Sequence, residues 1–169
     1  ILFANLATNY NNLGMPDSGF YYIKKGIAYA RKHENLFALS NSLAIASSIY
    51  VSAGKPQESE PLLKEVVEIR KLIGDPFYTA SDLAQLGYYY AHYGQAEKGV
   101  AACFEGIELA KKYNLGTKLF FLYGTLADNY KAMNNMDGYA KVMSDLIRLK
   151  DSVYAKNSSD ALADLNAKY

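Results

Sequence analysis

The sequence predicts an all-α chain of four helical hairpins, each about 40 residues long, with one long helix at the C-terminal end. Three observations predict it. Tyr10, Tyr50, Tyr90 and Tyr130 recur at an interval of 40 residues. Gly14, Gly54, Gly94 and then Asn134 come four residues after them, and glycine or asparagine suits the left-handed residue that ends a helix. Between these marks, apolar residues fall three and four apart, the spacing of a helix buried on one face. A fixed period of this length is the signature of stacked repeats, each burying a face on the next.

The first helix covers residues 1–14, with Phe3, Leu6, Tyr10 and Leu13 on one side. Gly14 stops it, and Met15-Pro16-Asp17 turns the chain, with Pro16 where a helix begins without needing its N–H. A second helix runs to about His33 on Phe20, Ile23, Ile27 and Ala30. Residues 36–53 repeat the first helix with Leu39, Leu43, Ala46, Tyr50 and Ala53, and Gly54-Lys55-Pro56 repeats the turn. The next helix reaches about Ile73 with Leu62, Leu63, Val66, Val67, Ile69 and Ile73 buried. Gly74-Asp75-Pro76 breaks it, and Asp75 or Thr79 is positioned to cap the fifth helix.

The third hairpin takes Leu83, Leu86, Tyr90 and Tyr93, turns at Gly94-Gln95, and returns on Val100, Cys103, Phe104, Ile107 and Leu109. Residues 117–133 continue with Leu119, Tyr123, Leu126, Tyr130 and Met133, and Asn134-Asn135 makes the fourth turn. From Met136 the helical pattern runs on to Tyr169, some 45–50 Å at about 1.5 Å per residue. Val142, Met143, Leu146, Leu149 and Val153 form its first stripe. Ala155, Ser158, Leu162, Leu165 and Tyr169 form a thinner one with weak heptad spacing.

Composition narrows the function classes. Half of the 169 residues are hydrophobic, enough for a continuous core, and the formal net charge is +1. That balance argues against nucleic acid or an anionic membrane surface as the main partner. No apolar stretch approaches the roughly 20 residues of a membrane span, so this chain is not expected to insert directly. Cys103 is the one cysteine, which excludes an internal disulfide and any cysteine-based zinc site. The chain opens on Ile1 without a signal peptide, so it is expected to be a processed or cut piece of a longer protein, with an unknown number of repeats before it.

These columns resemble the tetratricopeptide repeat (TPR). The family pattern places bulky, leucine, small and tyrosine residues on helix A of each unit. The matching columns are Phe3, Leu43, Leu83, Tyr123; Leu6, Ala46, Leu86, Leu126; and Ala7, Ser47, Gly87, Ala127. On helix B the small columns are Gly19, Ser59, Gly99, Tyr139 and Gly26, Val66, Gly106, Leu146, around Ile23, Leu63, Cys103 and Met143. The period of 40 departs from the family's 34 and is similar to its longer-helix variants. The resemblance implies a right-handed superhelix of four units, about residues 1–35, 36–75, 76–115 and 116–150, with residues 151–169 an extended helix leading onward. That terminal helix resembles the one that leaves the repeats in bacterial two-component regulators, ahead of a membrane span and a histidine kinase or DNA-binding output.

No glycine-rich phosphate loop, paired-histidine metal spacing or Ser–His–Asp arrangement stands out, so no catalysis, cofactor or metal is expected. Cys103 falls in a core column, and His33 in the last turn of a helix suits its dipole. The resemblance places helix A of each unit on the concave wall. Projecting the core stripe inward leaves Asn5, Thr8, Asn9 and Asn12; Asn41, Ile45, Ser48 and Ser52; Gln85, Tyr88, Tyr89 and His92; and Phe121, Thr125, Asp128 and Lys131. Amides and hydroxyls can bond a peptide backbone, and tyrosines give rigid contact area. The bland alternative is that these residues only solvate the wall. Lys131 is the one cation among them, so carboxylate-terminated chaperone tails are not the expected ligands. The helix B faces carry Lys24, Lys25, Arg31, Lys32, Lys64, Glu65, Glu68, Lys71, Lys111 and Lys112, whose mixed signs read as a solvated surface.

The resemblance of the terminal helix implies a non-catalytic sensor of a two-component protein at the periplasmic face of the inner membrane. It would bind a peptide or protein in its groove and signal through the last helix, with a homodimer available through that helix. The alternative is a cytoplasmic adaptor that scaffolds protein complexes.

Overall fold

The computed structural model describes residues 2–168, with side chains through Ser152. Within them eight α-helices run in order: α1 (Leu2–Asn12), α2 (Pro16–Lys32), α3 (Leu36–Ser52), α4 (Ser59–Ile73), α5 (Pro76–His92), α6 (Ala96–Lys112), α7 (Gly116–Ala132) and α8 (Met136–Lys168). They pair as α1/α2, α3/α4, α5/α6 and α7/α8, each second helix packing on the first helix of the next hairpin. The stack is a helical-repeat superhelix. The part of α8 after Ser152, including the Ala155-to-Tyr169 stripe and its heptad, lies outside the described side chains.

Turn chemistry obeys the 40-residue period twice. Gly14, Gly54 and Gly94 have φ between 71° and 79°, and Asn134 in the same column has φ 56°. A second column joins one hairpin to the next: Glu34 at φ 52°, Gly74 at 79° and Asn114 at 54°. Asn35, Asp75 and Asn135 cap the helices after them by accepting from the backbone N–H of Ala38, Tyr78 and Gly138. Thr79 donates back to the Asp75 carbonyl at 2.6 Å.

One turn departs from the pattern. Pro56 does not open an α-helix as Pro16 does. A 3₁₀ turn spans Pro56–Glu58, and α4 begins at Ser59. Pro61 explains it. A proline there has no N–H for residue 57, and its ring crowds that carbonyl, so regular α-turns start later.

Small residues sit where helices cross. A Cβ on Gly87 would lie 2.7 Å from Cys103 Sγ, and one on Gly106 would overlap Leu122. Ser47 and Ser59, which stand in the columns of Gly87 and Gly99, share a buried hydrogen bond of 2.6 Å. The core runs through Ile23, Leu43, Ile49, Val66, Leu83, Ile107, Leu122 and Leu126, all nearly inaccessible. The tyrosine column is anchored: Tyr90 is buried, Tyr10 stacks on Tyr22 at 5.3 Å, and Tyr50 meets Phe20 at 4.6 Å.

Four expected core residues are corrected. Leu13, Ile73, Tyr93 and Phe104 are exposed. Leu13, Ile73 and Tyr93 lie at helix ends, where the chain leaves the interface. Phe104 comes directly after Cys103, and the 100° step per residue carries it off the buried face.

The periplasmic placement is also corrected. Among the described residues, no helix is long and apolar enough to cross a membrane. The longest, α8, carries Asp137, Lys141, Asp145, Arg148, Lys150 and Asp151 in its first half alone, and each charge opposes transfer into hydrocarbon.

Candidate functional site: the concave wall

The first helices of the hairpins line one wall, and the spacing between them is uneven. Helices α1 and α3 pack together, as do α5 and α7, whereas α3 and α5 do not touch along their backbones. The seam between α3 and α5 is filled from behind by Arg70 of α4, which is 2% exposed. Its Nε donates to Asp82 Oδ2 on α5 at 3.2 Å, and its Nη2 donates to Asn41 Oδ1 on α3. One guanidinium thus ties the two helices that do not pack.

Three pockets open on this wall. The first, of about 350 Å³, lies between α5 and α7 and is lined by Ala84, Gln85, Tyr88, Lys118, Phe121 and Thr125 among others. Phe121 is 66% and Tyr88 52% exposed, so two large rings from neighbouring helices stand open at one pocket. The second, of about 510 Å³, lies among α1, α2, α3 and the first half of α5 with Arg70 of α4 at its wall, and contains Asn5, Tyr29, Asn41, Ile45 and Asp82. A third, of about 260 Å³, joins Thr8, Asn12, Ser48 and Gln85 across α1, α3 and α5. An aromatic run connects the first two: Phe37 lies edge-on to Tyr78, Tyr78 lies edge-on to Phe77, and Lys118 Nζ sits 3.8 Å above the Phe77 ring.

Eight of the thirteen expected ligand-binding residues line these pockets: Asn5, Thr8, Asn12, Asn41, Ser48, Gln85, Tyr88 and Thr125. The others do not. Asn9 and Asp128 are exposed away from the pockets. Ser52 is tied locally, donating to the Ser48 carbonyl and accepting from Asn11. His92 donates from Nδ1 to the Tyr88 carbonyl of its own helix at 2.8 Å, with its ring 4.0 Å from that of Tyr88. Tyr89 is a correction. It is 5% exposed and packs in the core with Tyr90 and Leu86, because it turns 100° away from Tyr88 towards α4. Burial raises its phenol above the ordinary range.

Sequence reasoning missed Arg70, Asp82, Phe37, Tyr78 and Lys118. Arg70 did carry a signal: it lies four residues after Val66 and three after Val67, a charged residue in a core stripe. Burial is the largest influence on Asp82, raising its carboxyl above the ordinary range despite Arg70 beside it. Cys103 is fully buried, and burial pushes its thiol up to about 12, as suits inert packing. Among the described residues, no group of three His, Cys, Asp or Glu side chains is placed to hold a metal ion. The outer faces are laced by ion pairs of both signs, such as Arg31–Glu65 at 3.0 Å and Lys71–Glu105 at 2.7 Å.

Stacked helical hairpins with a pocketed wall of first helices define a TPR-like helical-repeat fold. Solved structures carry the same fold. One is a signal transduction ATPase with numerous domains (STAND) with a tetratricopeptide repeat sensor, from Pyrococcus horikoshii. The match has TM-score 0.81 and 21% identity, and covers 92% of this chain and 24% of that one. This chain therefore spans about a quarter of that protein. Two structures of a Podospora anserina protein described as a putative kinesin light chain with nearly identical TPR-like repeats match at TM-scores 0.76 and 0.75. Each is 16% identical over 89% of this chain and 74% of theirs. At these identities the likeness concerns the fold. No family model and no curated protein matches the sequence.

Proposed function

We propose that this chain is an adaptor module that binds an extended peptide segment of a partner protein along its concave wall. The observation that carries the reading is the pocket between α5 and α7, where Tyr88 and Phe121 stay exposed beside Gln85, Thr125 and Lys118. Large rings left in solvent lose free energy that a partner's apolar side chain would restore. Asn5, Thr8, Asn12, Asn41 and Ser48 continue the same wall with amides and hydroxyls suited to a peptide backbone. The test is a decapeptide display library panned on the folded chain. Peptides are expected to be enriched, and Tyr88→Ser/Phe121→Ser is expected to weaken them at least tenfold without lowering the melting temperature. Enrichment unaffected by that pair would move the site elsewhere.

A second reading makes the repeats the sensing part of a two-component signalling protein. It is supported by the unbroken course of α8 from Met136 to Lys168 and by the sensor role named for the Pyrococcus protein's repeats. A binding event that changes superhelical pitch would pass along such a helix. Ala155→Pro in the whole protein should then uncouple binding from output, and unchanged signalling would sink it.

A further inference from the structure

The pocket across the α3–α5 seam holds a buried donor that the fold leaves unused. Arg70 gives Nε to Asp82 and Nη2 to Asn41, but Nη1 is buried and has no partner. An unpaired guanidinium N–H inside a protein is costly, and one at the wall of an open pocket points to an absent acceptor. Its cover is movable. The rings of Phe37 and Tyr78 lie 4.9 and 4.5 Å from the guanidinium carbon, and both are exposed on their outer sides. The backbones of α3 and α5 stand apart here, so either ring can swing without parting packed helices.

Charge selects what fits. Asp82 already offsets Arg70, so the pocket is close to neutral. An incoming carboxylate would face the Asp82 carboxylate, and an ammonium would face Arg70. The remaining polar groups, on Asn5, Tyr29, Asn35, Asn41, Ser42 and Tyr78, are uncharged. A primary amide has both things the ion pair can use: a carbonyl acceptor and an NH₂ donor.

Building on the groove reading, we infer that this pocket is a carboxamide subsite. The side chain of an Asn or Gln in the bound peptide displaces Phe37 or Tyr78 from the guanidinium. It then accepts from Arg70 Nη1 and donates to the Asp82 carboxylate. The subsite makes the module selective for uncharged, amide-bearing segments. A site that leaves buried polar groups unpaired unless the right ligand is present discriminates sharply against analogues that lack the group.

The same decapeptide library tests it. Enriched peptides are expected to share one Asn or Gln position. Replacing that residue with Ala, Asp or Glu should weaken binding about tenfold, the worth of one well-placed hydrogen bond. Arg70→Met/Asp82→Leu removes both charges together and should bind the Asn and Ala peptides equally. Arg70→Lys keeps the charge but loses the fork, and should lose most of the preference. Should the double variant fail to fold, Arg70→Lys and the peptide substitutions still decide. Binders with no shared Asn or Gln overturn the carboxamide subsite and leave the groove reading standing. Binders that prefer Asp or Glu overturn it in favour of an anion site. A library that yields no binder overturns the groove reading and this inference together.

Discussion

Asn129, fully buried on α7, donates from Nδ2 to the carbonyl of Gly87 on α5 at 3.1 Å. The same NH₂ group donates to the Thr125 carbonyl at 2.8 Å. This amide closes the α5–α7 contact from inside, and the absence of a side chain at Gly99 makes room for it. A Cβ on Gly99 would overlap Asn129 Oδ1. Gly99→Ala should cost about 1–3 kcal/mol by overpacking, and Asn129→Ala a similar amount through lost bonds and a cavity. Because the two residues share one space, the double variant should be less destabilised than the sum by about 1 kcal/mol. Urea midpoints of the four proteins measure this, and strict additivity would contradict the shared-space account.

Arg70 and Asp82 form another buried polar tie, at 3.2 Å with both side chains nearly sealed. Removing one partner strands a charge. Asp82→Leu alone should cost about 3–5 kcal/mol, whereas Arg70→Met/Asp82→Leu should fall within about 1 kcal/mol of wild type or exceed it. Chemical denaturation distinguishes the two. A mild single variant would mean that Arg70 finds water.

Glu60 gives the chain an acid-range dependence. It accepts from Lys64 at 2.7 Å, and from the Tyr90 hydroxyl and Gln95 amide at 3.1 Å each. Lys64 foremost, then Gln95 and Tyr90, bring its carboxyl down from 4.5 to about 2 against the opposing effect of burial. A folded-state value below the unfolded one means the contribution is whole above pH 4.5 and is lost as pH falls towards 2. Asp82 has the opposite sign, its raised value favouring the fold at low pH, but it is common to both proteins being compared. The stability gap between wild type and Glu60→Gln should therefore shrink across that window. A gap that stays constant in thermal melts from about pH 7 to about pH 2.5 would refute the assignment.

Glu34 holds a left-handed backbone at φ 52° in a column that is Gly74 one repeat later. A residue with a Cβ pays about 1 kcal/mol there, so Glu34→Gly should raise the melting temperature. Asn134→Gly should gain less, since asparagine tolerates the region. A lower melting temperature for Glu34→Gly would show that its side chain contributes more than its backbone costs.

Much of this was legible before the fold. The Tyr and Gly columns set the hairpins, Gly19, Gly87 and Gly106 marked the close crossings, and the projection of Asn5, Asn41, Gln85 and Tyr88 onto one wall placed them at its pockets. Tyr89 was misread because one residue, a 100° step, separates groove from core. Leu13 and Ile73 were misread because an apolar stripe does not say where the neighbouring helix stops. The 3₁₀ turn at Pro56–Glu58 was readable from Pro61, whose effect on its own first turn is local chemistry.

The sequence by itself determined what repeats every 40 residues: helix length, turn conformation, and the small residues at crossings, all of which depend on neighbours within a few positions along the chain. The tertiary structure alone decided what happens between hairpins. Whether α3 packs on α5 depends on Phe37, Asn41, Arg70, Tyr78 and Asp82, drawn from three helices, meeting in one seam. Arg70 reads as one more charge on a helix until the fold removes it from water, and only that removal turns Nη1 into a donor in need of a partner.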